Sequence, residues 1–231
     1  MEFNVTLMPL LSGLIRQLGN KSVMKKTFNS LKKILTFCAI SFLSFSINAK
    51  DTESLKTAVF AGGCFWCMEE AFEQLDGVVD VISGYSVGMV KNPSYEMVSK
   101  GKTKHLEAIL IRYDPSIVEY ERLLKEFWEN VDPFDGEGQF CDRGEHYRSA
   151  IFYGNNEEYN STVKTKREME ESLSPEILIR TMILPRKKFY PAEEYHQNYY
   201  EKNPYRYNYY KFRCGRSQRL KELGEYINSK N

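Results

Sequence analysis

The sequence is short of most features that mark a metal, nucleic-acid or membrane protein. Histidine occurs three times in 231 residues, and His105, His146 and His196 stand too far apart in the chain to suggest a ligand cluster. An excess of one charge is missing: 32 Lys and Arg face 31 Asp and Glu, a formal net charge of +1. The chain therefore carries no global field to attract nucleic acid or an anionic membrane. Internal repeats and a domain-scale linker are absent. The longest greasy stretch, residues 34–47, falls short of the roughly 20 apolar residues that cross a bilayer, so no stable membrane insertion is expected. Only four cysteines follow residue 49, too few to scaffold a domain of this size with disulfides. What remains is the balance of a soluble globular protein, 42% hydrophobic and 27% charged, with 16 tyrosines available as polar-tipped rings to line a cleft.

The N-terminus reads differently from the rest. Lys25, Lys26, Lys32 and Lys33 precede the apolar stretch, which closes on Ile47-Asn48-Ala49 before Lys50-Asp51. A basic start, a short apolar run and a small-residue exit make a secretory signal peptide, with an uncleaved anchor as the alternative. Residues 1–23 sit upstream of a complete leader, so translation is expected to start at Met24 and cleavage to follow Ala49. Residues 1–49 are then an upstream extension plus signal peptide, residues 50–231 a single domain, and the location periplasmic or secreted.

Along that domain, Thr57–Ala61 is a short apolar run ending at Gly62-Gly63, which predicts a buried strand and a turn. Residues 64–75 carry Phe65, Met68, Phe72 and Leu75 at helical spacing, with Glu69, Glu70 and Glu73 opposite. Strands are expected over 78–85, 106–113, 147–153 and 177–184, and helices over 119–131 and 155–171. Beyond Pro191 the chain is Tyr-rich and polar, and is expected to be an irregular tail wrapped over the domain. Strands and helices alternate at irregular spacing, which points to one α+β domain with an open sheet covered by helices.

The sharpest local feature is Gly62-Gly63-Cys64-Phe65-Trp66-Cys67. A cysteine directly after a strand and a diglycine turn sits in the first turn of a helix, where unpaired N–H groups and the helix dipole favour a thiolate. The glycines let backbone and substrate approach closely. Taken alone, such a cysteine is more often a small buried hydrophobe.

Its context resembles the A-type methionine sulfoxide reductases, whose hallmark is a Gly-Cys-Phe-Trp run just after the first strand. Gly84-Tyr85, Pro93 to Val98, His105 to Ala108, Tyr113-Asp114-Pro115, Phe127-Trp128 and Asp132-Pro133 follow in the family's order. So do Asp142-Arg143-Gly144, Tyr147 to Ile151 and His196 to Tyr199, and the likeness covers roughly residues 57–210. The resemblance implies that Cys64 attacks the sulfur of methionine S-sulfoxide, in proteins and as the free amino acid, and becomes a sulfenic acid. It implies Phe65 and Trp66 as the apolar wall, Glu107 as the acid, Tyr95 and Tyr147 as hydroxyl donors to the sulfoxide oxygen, and Asp142 as a steadying carboxylate. It also implies the family's two-layer open-sheet sandwich, with helices on a mixed sheet, a ferredoxin-like core and that C-terminal tail. Oxidised proteins are the implied substrates and a thioredoxin-type protein the electron donor. No metal or organic cofactor is implied, because thiols carry the electrons.

The reaction accounts for these residue types. An S=O group beside a methyl needs a soft nucleophile, a proton for the departing oxygen and an apolar pocket. A sulfenic acid then needs a second thiol, and three remain open. Cys67 lies one helical turn along at i+3, Cys214 lies in the tail, where family members often keep a recycling cysteine, and Cys141 abuts Asp142. Many relatives have glycine at the position of Cys67, and Lys104 and Arg143 also depart from frequent patterns.

Two rivals use the same residues. Cys64-Phe-Trp-Cys67 is formally a C-x-x-C, which a thioredoxin-like thiol-disulfide oxidoreductase would use, leaving Glu107, Tyr95 and Tyr147 without roles. A non-enzymatic module would either hold zinc on the four thiolates or present residues 195–210 as an aromatic-rich binding surface.

Overall fold

The computed structural model describes residues 55–229. The expected signal peptide, start at Met24 and cleavage after Ala49 lie outside the described residues, which fall within the compact unit that begins at Ser54. Among the described residues no helix is long and apolar enough to cross a membrane.

A six-stranded mixed sheet forms the centre. Its strands are β1 (Lys56–Ala61), β2 (Val78–Ser86), β3 (Leu106–Tyr113), β6 (Ala150–Tyr153), β7 (Met182–Pro185) and β8 (Tyr190–Pro191), in the order β7-β6-β1-β3-β2-β8. Every pairing is antiparallel except β6 with β7, which is parallel. The hairpin β4 (Gly138–Gln139) and β5 (Asp142–Arg143) stands apart. The helices are α1 (Phe65–Glu73), α2 (Tyr95–Ser99), α3 (Tyr120–Glu129), α4 (Asn156–Glu171), α5 (Tyr199–Lys202), α6 (Pro204–Cys214) and α7 (Arg216–Asn228).

The period-2 geometry of a strand divides β1 and β3 between two faces. Ala58 and Phe60 of β1, with Ile109 and Ile111 of β3, join Phe65, Met68 and Phe72 of α1 and Leu123, Leu124 and Phe127 of α3 in the main core. Val59, Ala61, Leu106 and Ala108 point the other way, into a smaller cluster closed by Met182, Leu184 and Phe189 rather than by a helix. The α+β class with helices on a mixed sheet is therefore the observed one.

Three local expectations are corrected. The C-terminal tail is not irregular: α6 and α7 fill it. Pro204 occupies the first turn of α6, where its missing N–H costs nothing, and Gly215 ends α6 in the left-handed region at φ +69°. The strand expected over 177–184 shortens to β7, because only residues 182–185 find partners on β6. Tyr147 lies in a short 3-10 turn, Glu145–Tyr147, one turn before β6 begins, rather than on the strand.

Candidate active site

Cys64 is the residue that caps α1. Its carbonyl accepts from Cys67 N–H at 3.1 Å and from Met68 N–H at 3.4 Å, so the chain leaves β1 and closes its first helical turn within three residues. Both glycines before it are required. A Cβ on Gly62 would lie 2.4 Å from Met68 Sδ, and Gly63 holds φ +84° with Gln139 packed where its Cβ would be.

Glu107 approaches from the central strand β3. It is 2% exposed, and its Oε2 accepts the Phe65 N–H at 3.2 Å, which ties a strand carboxyl to the first turn of α1. Burial pushes the Glu107 carboxyl well above the usual carboxylate range against the opposing Phe65 hydrogen bond, with the neighbouring Asp142 and Cys67 charges adding to the rise. Burial thus favours its protonated, acid form.

Two hydroxyls face this carboxyl. Burial and the Glu107 charge hold Tyr95 up at about 12, and its hydroxyl is within hydrogen-bonding reach of Tyr147. Burial raises Tyr147 as well, ahead of the Glu107, Tyr95, Asp142 and Cys64 charges. Both are neutral donors. Asp142 on β5 is raised by burial and accepts a hydrogen bond from the Tyr210 hydroxyl.

The four described cysteines divide into two pairs. Cys64 and Cys67 are free and buried, whereas Cys141 and Cys214 are joined in a disulfide with a Cα–Cα distance of 4.9 Å. Among the described residues the one cluster with metal-ligand spacing is Cys141, Asp142 and Cys214, and its two sulfurs are bonded to each other. The four-thiolate zinc arrangement is thus not formed.

Within the buried pair the two thiols shift in opposite directions. Burial raises the Cys64 thiol well above its ordinary value, reinforced by its hydrogen bond with Cys67 and the nearby Cys67, Glu107 and Asp142 charges. Cys67 is lowered to about 6 by the hydrogen bond from Cys64, then by Arg216, Tyr207 and Lys211, against the cost of burial. The helix N-terminus favours a thiolate at Cys64, but two adjacent thiolates would repel, and the cations stand beside Cys67. The two thiols thus share one proton by hydrogen bond, and the cations beside Cys67 favour the negative charge there.

The apolar wall is built from both ends of the chain. Trp66 stacks on Tyr199 at 3.8 Å between ring centroids and 8° between planes, and meets Tyr210 edge-on at 6.0 Å. Its indole N–H donates to His196 Nδ1 at 3.1 Å. His196 also lies 5.0 Å from Phe65 and 4.4 Å from Tyr95, centroid to centroid. Burial lowers His196, so it is the neutral acceptor that the indole requires.

Arg216 at the start of α7 is 3% exposed and reaches the Gly62 carbonyl at 3.4 Å, the Asn130 carbonyl and the Met68 sulfur at 3.2 Å. Five residues of this cover, His196, Tyr199, Tyr207, Tyr210 and Arg216, are missed by sequence reasoning. Four of them lie in residues 195–210, read as a tail or an aromatic-rich surface, and His196 and Tyr199 also belong to the ordered motif, but none is given a role beside the thiols.

The arrangement therefore offers a buried dithiol, a buried carboxyl biased toward its acid form, two phenols and an aromatic wall around one point. Residues 56–226 match the family described as "Peptide methionine sulfoxide reductase". The chain belongs to that family. Among relatives of this reductase, MsrA of Bacillus licheniformis is 45% identical over 170 residues, covering 74% of this chain and 94% of its own. "Peptide methionine sulfoxide reductase MsrA/MsrB" of Vibrio cholerae is 50% identical over 166 residues, covering 72% of this chain; the match spans 44% of that longer protein. Among solved structures, Mxr1 of Saccharomyces cerevisiae in reduced form superposes with a TM-score of 0.61 at 33% identity, over 67% of this chain and 88% of that one. Methionine sulfoxide reductase A of Corynebacterium diphtheriae does so with a TM-score of 0.59 at 30% identity, over 65% and 76%. The reductase is accordingly an oxidoreductase of methionine sulfoxide with the family's α+β fold, and the thioredoxin-like and binding-module alternatives are set aside.

Proposed function

We propose that Cys64 is the nucleophile, Glu107 the acid and Cys67 the resolving thiol in reduction of methionine S-sulfoxide carried by oxidised proteins. One observation carries the reading: the hydrogen bond from Phe65 N–H to Glu107 Oε2 holds a buried carboxyl, biased by that burial toward its acid form, against the helix turn that bears Cys64. As Cys64 attacks the sulfoxide sulfur, its proton passes to the Cys67 thiolate, which already accepts a hydrogen bond from it. Glu107 protonates the departing oxygen, Tyr95 and Tyr147 donate to it, and the methyl lies against Phe65 and Trp66. The protonated oxygen passes from the methionine sulfur to the Cys64 sulfur, so methionine leaves and Cys64 is a sulfenic acid. Cys67 then attacks the Cys64 sulfur, water departs, and a Cys64–Cys67 disulfide stores the oxidising equivalents.

A thioredoxin-type protein returns two electrons to that disulfide. No step calls for a metal or organic cofactor. The basic and apolar residues before Ala49 support export to a periplasmic or secreted location, and a mature protein beginning at Lys50 is the expected outcome of N-terminal sequencing. A mature chain that retains residues 24–49 would sink the cleavage proposal.

The deciding experiment is single turnover on a peptide containing resolved sulfoxide epimers, without external reductant. One methionine should form per protein from the S epimer, with loss of the two thiols Cys64 and Cys67. In Cys67→Ser the methionine should still form and a sulfenic acid should be trapped on Cys64 by dimedone. Methionine formation by Cys64→Ser would overturn the assignment.

A further inference from the structure

We propose that electrons return through a separate entrance: a polar groove behind α1, lined by Cys67, down which the thiolate of a protein dithiol reaches that cysteine. This rests on the reading of Cys67 as the resolving thiol. The groove is a cavity of about 350 Å³ lined by Cys67 and Glu70 of α1, Asn130 after α3, Lys211 of α6, and Arg216 and Ser217 of α7. Glu107, Tyr95, Tyr147 and Asp142 do not line it. Cys67 therefore stands between two spaces, with Cys64 and the reacting groups on one side and the groove on the other.

The walls suit this visitor. Arg216 and Lys211 both act electrostatically on Cys67, and a thiolate moving toward the sulfur is drawn by the same two cations. Glu70 offsets part of that field by pairing with Lys211 and accepting the Tyr207 hydroxyl at 2.7 Å, which also fixes the wall. Cys67 is only 4% exposed, so the attacking sulfur must come down the groove rather than across the surface. That demands a thiolate on a projecting tip of its protein.

The donor thiolate attacks Cys67 Sγ, the Cys64–Cys67 bond breaks, and Cys64 leaves as a thiolate that takes up a proton. Part of what raises the Cys64 thiol is the charge on Cys67, and that charge is absent while Cys67 is bonded to the donor. The donor's second thiolate then attacks its own bridged sulfur, releasing the Cys67 thiolate and leaving the donor as a disulfide. Two electrons pass, and the substrate side of Cys64 is never occupied by the reductant.

The test uses the full chain with its Cys64–Cys67 bond formed by diamide and confirmed by peptide mapping, so that it does not depend on sulfoxide reduction; a parallel single-turnover assay reports that reading separately. The oxidised protein is mixed with a thioredoxin whose second active-site cysteine is changed to serine, and the trapped adduct is mapped. The bridge should lie on Cys67. A bridge on Cys64 would place the reductant in the substrate cleft, and one on Cys141 or Cys214 would route electrons through the distal disulfide. Either overturns the proposal, as does failure to trap any adduct while unmodified thioredoxin still reduces the bond. Ser217→Trp should narrow the groove and slow thioredoxin-dependent reduction at least tenfold, with the single-turnover methionine yield unchanged. An unchanged rate of reduction would also count against the groove.

Discussion

The two halves of this site are built by different parts of the chain and on different principles. The half made by β1, α1 and β3 is laid down on strands in the middle of the sheet: Cys64 follows β1 directly, and Glu107 sits on β3, paired with β1 and β2 on either side. The half made by α5, α6 and α7 is a cover. It is held by single polar links such as Tyr207 to Glu70, Tyr210 to Asp142 and Arg216 to two carbonyls, and by the stack of Tyr199 on Trp66. The strand half positions the reacting atoms. The cover sets the field around Cys67 and the orientation of the indole. Changes in the first should therefore erase chemistry, and changes in the second should alter titration and stability.

The sharpest break is Cys64→Ser, which should abolish methionine formation, read by single turnover, while the circular dichroism melt stays close to wild type. Glu107→Gln comes next. Removing the acid but keeping the shape should lower the single-turnover rate about 10²- to 10⁴-fold, the usual worth of a positioned general acid. A loss below tenfold would mean that the tyrosines protonate the oxygen unaided.

Arg216→Ala tests the cover. It strips hydrogen bonds from the Gly62 and Asn130 carbonyls and opens a buried space, so unfolding stability measured by urea should fall by about 2–3 kcal/mol. Thiolate absorbance at 240 nm should show the Cys67 step, about 6 in the wild type, moving upward in the same variant. A melt that falls without a shift of that step would separate the structural part of Arg216 from its field.

The smallest effect concerns Glu69, fully buried on α1, whose carboxylate accepts the Asn198 N–H at 3.1 Å. Burial raises it to about 7 despite the Asn198 hydrogen bond. The folded state thus holds the proton more tightly than the unfolded chain. Its contribution to stability is complete below about 4.5 and is lost as the pH rises through 7. Glu69→Gln should flatten the decline of the urea midpoint between pH 5 and pH 8, and an unchanged slope would contradict this.

The same division explains what could be read from the sequence. β1, α1 and β3 announce themselves through period-2 and period-3.6 spacing bounded by Gly62-Gly63 and Asp114-Pro115, because their residues are chosen by a core. The cover has no such spacing. Its helices are polar, their tyrosines are divided between buried Tyr199 and Tyr207 and exposed Tyr205 and Tyr209, and only Pro204 and Gly215 mark their limits. The pairing of Cys141 with Cys214 spans 73 positions and depends on α6 turning back over the hairpin, which no spacing rule encodes. Beyond the Cys64 hydrogen bond, the groups that lower Cys67 are Arg216, Tyr207 and Lys211, all contributed from that unread region.

The edges of the sheet carry a further consequence. An open sheet can gain strands from another chain wherever its outer strands leave backbone groups unpaired. Here the outermost strands are β7, four residues long and ending at Pro185, and β8, two residues long and ending at Pro191. Proline cannot donate to a neighbouring ladder, and strands so short offer few free groups. The reductase thus offers little free ladder at either edge of its sheet for another chain to extend.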